Sequence, residues 1–202
     1  MTSLLAQFLI LWLLAQPHLR RLQYAVPPVP PPNSTSTAVV VMNLDTEARG
    51  SVESASVLAG AQPFVDASLS ALRNWQFVPS SNSEKQAPVS VTILYRARQI
   101  YSFPGALPRF TWPQAETGPP LPIILTEPPY PVNSLAEGVV IFELRITPDG
   151  RVGQIHTVQD VPSLTHVARQ SVQGWRFSPA TIDGRVTSGS AIVAISFLRP
   201  AV

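Results

Sequence analysis

Gly50, Val52, Trp75, Phe77 and Pro79 recur without a gap as Gly150, Val152, Trp175, Phe177 and Pro179. A chain that repeats a spaced set of turn, aromatic and proline positions at an offset of 100 residues reads as one module written twice. With 202 residues in all, each copy has room for roughly 60 to 85 residues and a modest core.

The second copy carries the clearer local signals. In Thr147-Pro148-Asp149-Gly150-Arg151-Val152, Pro148 presets φ for a tight turn and Gly150 supplies the positive φ that closes it, so two apolar runs join as a hairpin. Val139–Ile146 alternates, with Val140, Phe142, Leu144 and Ile146 on one face and Glu143 and Arg145 on the other. Val152–Val158 is the partner strand. From Ser163, read as an N-cap, Leu164, Val167, Ala168, Ser171, Val172 and Trp175 share one helix face, and Gly174 stands where a helix end accepts positive φ.

The first copy repeats this order more faintly. Val39–Leu44 is a strand that turns near Arg49-Gly50 and continues through Val52 and Val57. Phe64, Ala67, Ser68, Ala71, Leu72 and Trp75 line a helix, which Asn74 can end, and Val89–Tyr95 is a closing strand. The expected fold is therefore α+β, with two tandem modules of strand-strand-helix-strand order. Each is a three-stranded antiparallel sheet with one packed helix.

Twenty-two prolines divide the chain. Val26–Pro32 reads as a stiff polyproline spacer that reaches about 20 Å at about 3.1 Å per residue. The stretch 99–126 reads as a semi-rigid linker, although Phe103, Phe110 and Trp112 are apolar enough to pack on a module. The expected divisions are 1–25 as signal peptide or membrane anchor, 26–37 as spacer, 38–98 as the diverged module, 99–126 as linker and 127–202 as the second module. The apolar run Leu4–Ala15 is short of a spanning helix and fits an export signal or signal-anchor; the remnant of a longer membrane region and a buried helix are the alternatives. No Lys or Arg precedes it, whereas Arg20 and Arg21 follow, the reverse of the usual charge order.

The composition narrows the chemistry. Fourteen Lys and Arg against 12 Asp and Glu leave a net charge of +2, too small to point to nucleic acid. There is no cysteine, so thiol chemistry and Cys-based metal sites are excluded. His156, His166 and nearby Asp160 could approach one another but match no ligand or triad pattern, and no phosphate loop, nucleophile elbow or carboxylate pair is present. The reading is a non-enzymatic chain with no catalytic, cofactor or metal residues. What remains is backbone chemistry: a three-stranded sheet has two edges, each of which is either protected or accepts another strand. The closing strand of the second copy, Ser190, Ala191, Ile192, Val193, Ala194, Ile195, Ser196, Phe197 and Leu198, carries neither charge nor proline. It reads as an apolar docking edge, unless the linker or the first module covers it. Arg176 alternates with two aromatics and is expected to face water, within reach of a strand carboxylate such as Glu143.

Tyr130-Pro131, Ala136, Gly138, Val140, Phe142, Ile146, the Pro148–Val152 turn, Trp175-Arg176-Phe177-Ser178-Pro179-Ala180, Gly184 and Phe197 occur in an order that resembles the TonB C-terminal domain family over about Glu127 to Pro200. The resemblance implies a periplasmic energy-transducer-like adaptor, possessing an edge strand at Ser190–Leu198 that recruits an extended segment of an outer-membrane receptor. It also brings in an ExbB and ExbD type inner-membrane complex; the apolar run Leu4–Ala15 would supply an inner-membrane anchor, and a homodimer is a further expectation. This sequence departs from the family in its shortened segment after Tyr130-Pro131, in its short spacers and in lacking the Ser-His-Leu-Ser type of membrane motif. The alternative is a non-transport structural module of the cell envelope that pairs through the same edge.

Overall fold

The computed structural model describes residues 21–32, 34–80, 88–98 and 107–200. In chain order its elements are β1 (Leu22–Tyr24), β2 (Ala38–Thr46), β3 (Val52–Ala59), α1 (Phe64–Leu72), β4 (Gln76–Phe77), β5 (Val89–Tyr95) and β6 (Pro122–Ile124). There follow β7 (Gly138–Ile146), β8 (Val152–Gln159), α2 (Thr165–Gln173), β9 (Arg176–Phe177), β10 (Ala180–Ile182), β11 (Arg185–Thr187) and β12 (Gly189–Phe197). The apolar run Leu4–Ala15 and Phe103 lie outside the described residues. Among the described residues no helix is long and apolar enough to cross a membrane.

The two hairpins match position for position. Met42 opposes Val57 as Phe142 opposes Thr157, and Leu44 opposes Ala55 as Leu144 opposes Ile155; each pair is interrupted by bulges at the same two places. The turns explain the repeated glycines. Gly50 (φ +92°) and Gly150 (φ +76°) each accept an amide bond from Phe77 or Phe177, at 2.8 and 2.9 Å. A Cβ on either would stand 2.0 or 2.1 Å from that phenylalanine's carbonyl oxygen, so only glycine fits.

Each repeat supplies the three strands expected of it, but they do not form two separate sheets. They join in one six-stranded sheet of order β3-β2-β5-β12-β7-β8, in which every neighbouring pair is antiparallel except the central one. There β5 and β12, the equivalent closing strands of the two repeats, run parallel, with Ala191 opposite Ser90 and Ile192 opposite Val91. That register lies one residue away from the repeat's own correspondence. Because side chains alternate along a strand, the slip sends equivalent residues to opposite faces. Val40, Met42 and Leu44 pack with α1, whereas their counterparts Val140, Phe142 and Leu144 pack with α2 on the other side.

Two cores result, one under each helix, and each borrows from the other repeat. Val39, Val41 and Leu94 belong to the core of α2, while Val139, Ile141, Ile192 and Ala194 belong to that of α1. The central strands are thus buried on both faces, as parallel strands are. All seven residues of β5 are buried. The same arrangement accounts for the continuous apolar runs Val39–Met42 and Val139–Phe142, which an alternating strand with one wet face would not need.

The proline-rich segments are built into the fold on the same repeat. β1 pairs with β4 and β6 with β9. The Trp75 indole N–H donates to the carbonyl oxygen of Val26 (2.8 Å), and that of Trp175 to the carbonyl oxygen of Thr126 (3.0 Å). Both tryptophans are buried, as their helix-end positions lead one to expect. Phe110 and Trp112 stack 5.4 Å apart and pack against the α2 core, so this part of the 99–126 segment is attached to the domain.

Two local expectations are corrected. Ser163 is not an N-cap: it has φ +71° and shares a hydrogen bond with Ser134, and α2 begins at Thr165 without a side-chain cap. Gly174 is right-handed (φ −83°), so the chain leaves α2 without the positive φ expected there.

Candidate strand-docking edges

Of the nine residues singled out in the sequence as a docking edge, Ser190–Phe197 lie in the middle of the sheet and Leu198 directly follows the strand. Along one side Gly189–Phe197 pairs with β7, and along the other Ala191–Ser196 pairs with β5. Ala191–Phe197 is buried throughout. An unpaired edge at β12 is therefore not present in the folded chain, and the physical reason is the first repeat: its equivalent strand completes the ladder. The absence of charge from Ser190–Leu198 reflects burial on both faces.

A knot of polar groups holds this seam at its far end. Arg96, 2% exposed, donates through Nε to the carbonyl oxygen of Pro128 (3.0 Å), lies 3.5 Å from Glu127 Oε1 and stacks over the Tyr130 ring at 5.5 Å. Glu127 also accepts a bond from the Thr37 hydroxyl (3.0 Å). Burial pushes the Glu127 carboxyl up, against the pull of Thr37 and Arg96, and burial lowers the Arg96 guanidinium. Tyr130 in turn donates its hydroxyl to the Ala136 carbonyl oxygen (2.8 Å). Nothing in the local pattern of the sequence flags Arg96, because its partners lie about 30 residues downstream, beyond the proline-rich stretch.

The sheet's outer edges are β3 and β8. They differ in protection. On the β8 side, Arg169 of α2 donates to the carbonyl oxygen of Ile155 (3.0 Å) and to the Thr157 hydroxyl (2.5 Å), with its guanidinium 5.4 Å from the Phe142 ring. Gln173 donates to the carbonyl oxygen of Val152 (3.0 Å). These side chains take up acceptors that an incoming strand would need. On the β3 side the residue equivalent to Arg169 is Leu69, which has no donor, and among the described residues no side chain bonds to a β3 carbonyl. Val57 (43% exposed) and Leu58 (37%) stand open there.

The remaining candidates resolve into structural roles. Glu143 accepts a bond from the backbone N–H of Leu22, so it ties the amino-terminal arm of the first repeat to the second. Burial raises its carboxyl; the Leu22 bond, His156 and Arg21 oppose this. Arg176 does not reach it, because its guanidinium bonds the carbonyl oxygens of Gly174 and Trp175. His156 lies opposite Glu143 on β8, whereas His166 is on α2. Among the described residues no group of three or more His, Asp or Glu is placed to hold a metal ion.

Residues 126–198 match the family model of the Gram-negative bacterial TonB protein C-terminal. No curated protein matches the chain significantly.

Proposed function

We propose, from the premise that residues 126–198 form a TonB C-terminal domain, that this chain is a TonB-like adaptor of the bacterial periplasm. It supports transport across the outer membrane by taking up an extended segment of a receptor through strand addition, without catalysis of its own. The observation that carries this reading is the family's domain built into a sheet that ends in unpaired strands. Ser190–Leu198, the accepting strand that the family resemblance implies, serves here to join the two repeats, so the receptor segment enters at an outer edge. An approach at β12 would require β5 to leave, which would strip both cores of residues from the other repeat.

The closed β12 seam also favours a second reading, a structural module of the cell envelope that uses strand pairing only to complete itself. Titration of the isotope-labelled full chain with peptides from the amino-termini of outer-membrane receptors of the same organism separates the two. Amide shifts concentrated in one strand of the sheet support the adaptor. Saturating peptide that moves no strand amide, in a chain that stays folded, rejects it in favour of the structural module.

A further inference from the structure

We propose that the first repeat, through the outer edge of β3, is the strand-accepting side of the protein, and that its occupant is an extended segment with alternating apolar residues and at least one Lys or Arg. This rests on the adaptor reading above and assigns its site to the copy outside the matched family segment.

Three observations converge on β3. The β12 edge is consumed by β5. The β8 edge is capped, with Arg169 and Gln173 bonded to the carbonyl oxygens of Ile155 and Val152. In β3 the equivalent carbonyls, those of Ala55 and Val52, receive no side-chain bond among the described residues: Leu69 stands at the position of Arg169, and Arg73, at the position of Gln173, makes no bond to Val52. An edge of this kind is complementary to one thing, a second backbone in extended conformation.

Charge selects among such segments. Asp45, Glu53 and Asp66 flank β3, and their counterparts around β8 are Arg145, Gly153 and His166. Glu53 and Asp66 are exposed, Asp66 accepting a bond from the Gln62 amide (3.0 Å), and among the described residues the Asp45 carboxylate is bonded only by the Ser54 hydroxyl (2.7 Å). Arg49 and Arg73 belong to the turn before β3 and to the end of α1, so the basic groups gather at the Val52 end. Glu53 and Asp45, which opposes Ser54, stand at that same end, and Asp66 lies in the first turn of α1. These carboxylates outnumber the two guanidinium groups along the edge and favour a cation, and exposed Val57 and Leu58 supply apolar contact on the two faces.

The probe is a ten-residue peptide that alternates valine and threonine around two lysines, with a twin carrying glutamates in their place, titrated into the labelled full chain. The expected result is shifts in the amides of Val52–Ala59 and binding of the lysine peptide about fivefold tighter than its twin at low salt, as one exposed charge pair gives. Glu53→Lys, on an exposed side chain, should reverse that preference, and Leu69→Arg, which carries the cap of α2 across to α1, should abolish binding. Equal binding of the twins, shifts in Val152–Gln159 or Gly189–Phe197 instead, or no binding of either peptide overturns the proposal. So does a concentration-dependent dimer with protected β3 amides, which would make a second copy the occupant. Receptor peptides that settle on β8 or β12 would sink this assignment alone. A lysine peptide seated on β3 beside receptor peptides that bind nowhere would sink only the adaptor.

Discussion

Ser90 faces Ala191 across the central parallel pair, although its counterpart in the repeat is Ile192, since Ser90 opposes Asn43 as Ile192 opposes Glu143. This offset of one residue puts the two helices on opposite faces. An in-register pair would have placed Val91 and Val193 on the same side, and both helices would then have competed for one face while the other stayed bare. The offset makes the two repeats one folding unit, because every central strand serves two cores.

Unfolding of the full chain should accordingly be a single transition. Urea curves followed by the fluorescence of the four tryptophans, Trp75 and Trp175 among them, and by far-ultraviolet circular dichroism are expected to coincide. Two separated transitions would mean that the repeats are independent domains.

A fragment that starts at residue 107 should not be a well-behaved monomer. It uncovers the β12 edge together with Val139, Ile141, Ile192 and Ala194, which the first repeat buries in the full chain. Sedimentation should find it self-associated at micromolar concentration, where the full chain is not held together through that edge.

Gly50→Ala and Gly150→Ala should each cost about 2–4 kcal/mol, as left-handed strain adds to a contact with a phenylalanine carbonyl that cannot yield. Chemical denaturation of the two variants checks this, and the close match of the turns predicts similar losses.

Arg96→Ala leaves Glu127 with only the Thr37 hydroxyl and the Pro128 carbonyl oxygen without its guanidinium bond. The loss should be about 3–5 kcal/mol, the usual consequence of breaking a buried pair from one side. The double variant Arg96→Met with Glu127→Gln should recover a good part of it, and equal losses in the single and double variants would deny the coupling.

Glu143 gives a dependence on pH with a definite sign. Burial raises its folded carboxyl above the ordinary value of 4.5, so its contribution to stability is fully present below that value and is lost as pH rises through the folded pKa. Glu143→Gln keeps an acceptor for the Leu22 amide and removes the titration. Stability measured from pH 4 to 8 should fall less in the variant than in the parent, with the difference growing above pH 4.5. Parallel curves would contradict the assignment.

Much of this fold can be read locally. The turn at Pro148-Asp149-Gly150, the spacing of Leu164, Ala168, Val172 and Trp175, and the repeat itself each depend on residues near in sequence. The β5–β12 pairing depends on contacts about 100 residues apart, and no periodicity encodes it. A signal for it was nonetheless present. Ser190–Leu198 is apolar on both alternating sets, the pattern of a strand buried on two faces, which an exposed edge would not require. The proline-rich segments were misleading for a different reason: composition describes stiffness, whereas their attachment rests on carbonyl oxygens of Val26 and Thr126, which any residue would offer. Gly174 and Ser163 show the same limit, since residue type allows a backbone conformation without demanding it.

A sheet edge filled from within the same molecule is filled at any dilution. A single repeat would have to find another copy to cover its closing strand, so its state would follow the protein's abundance in the cell. Tethering the two gives each a partner at an effective concentration on the order of millimolar, which no ordinary expression level approaches. The duplication therefore converts an assembly that would respond to dosage into a fixed property of one chain, and leaves only the outer strands to respond to anything else.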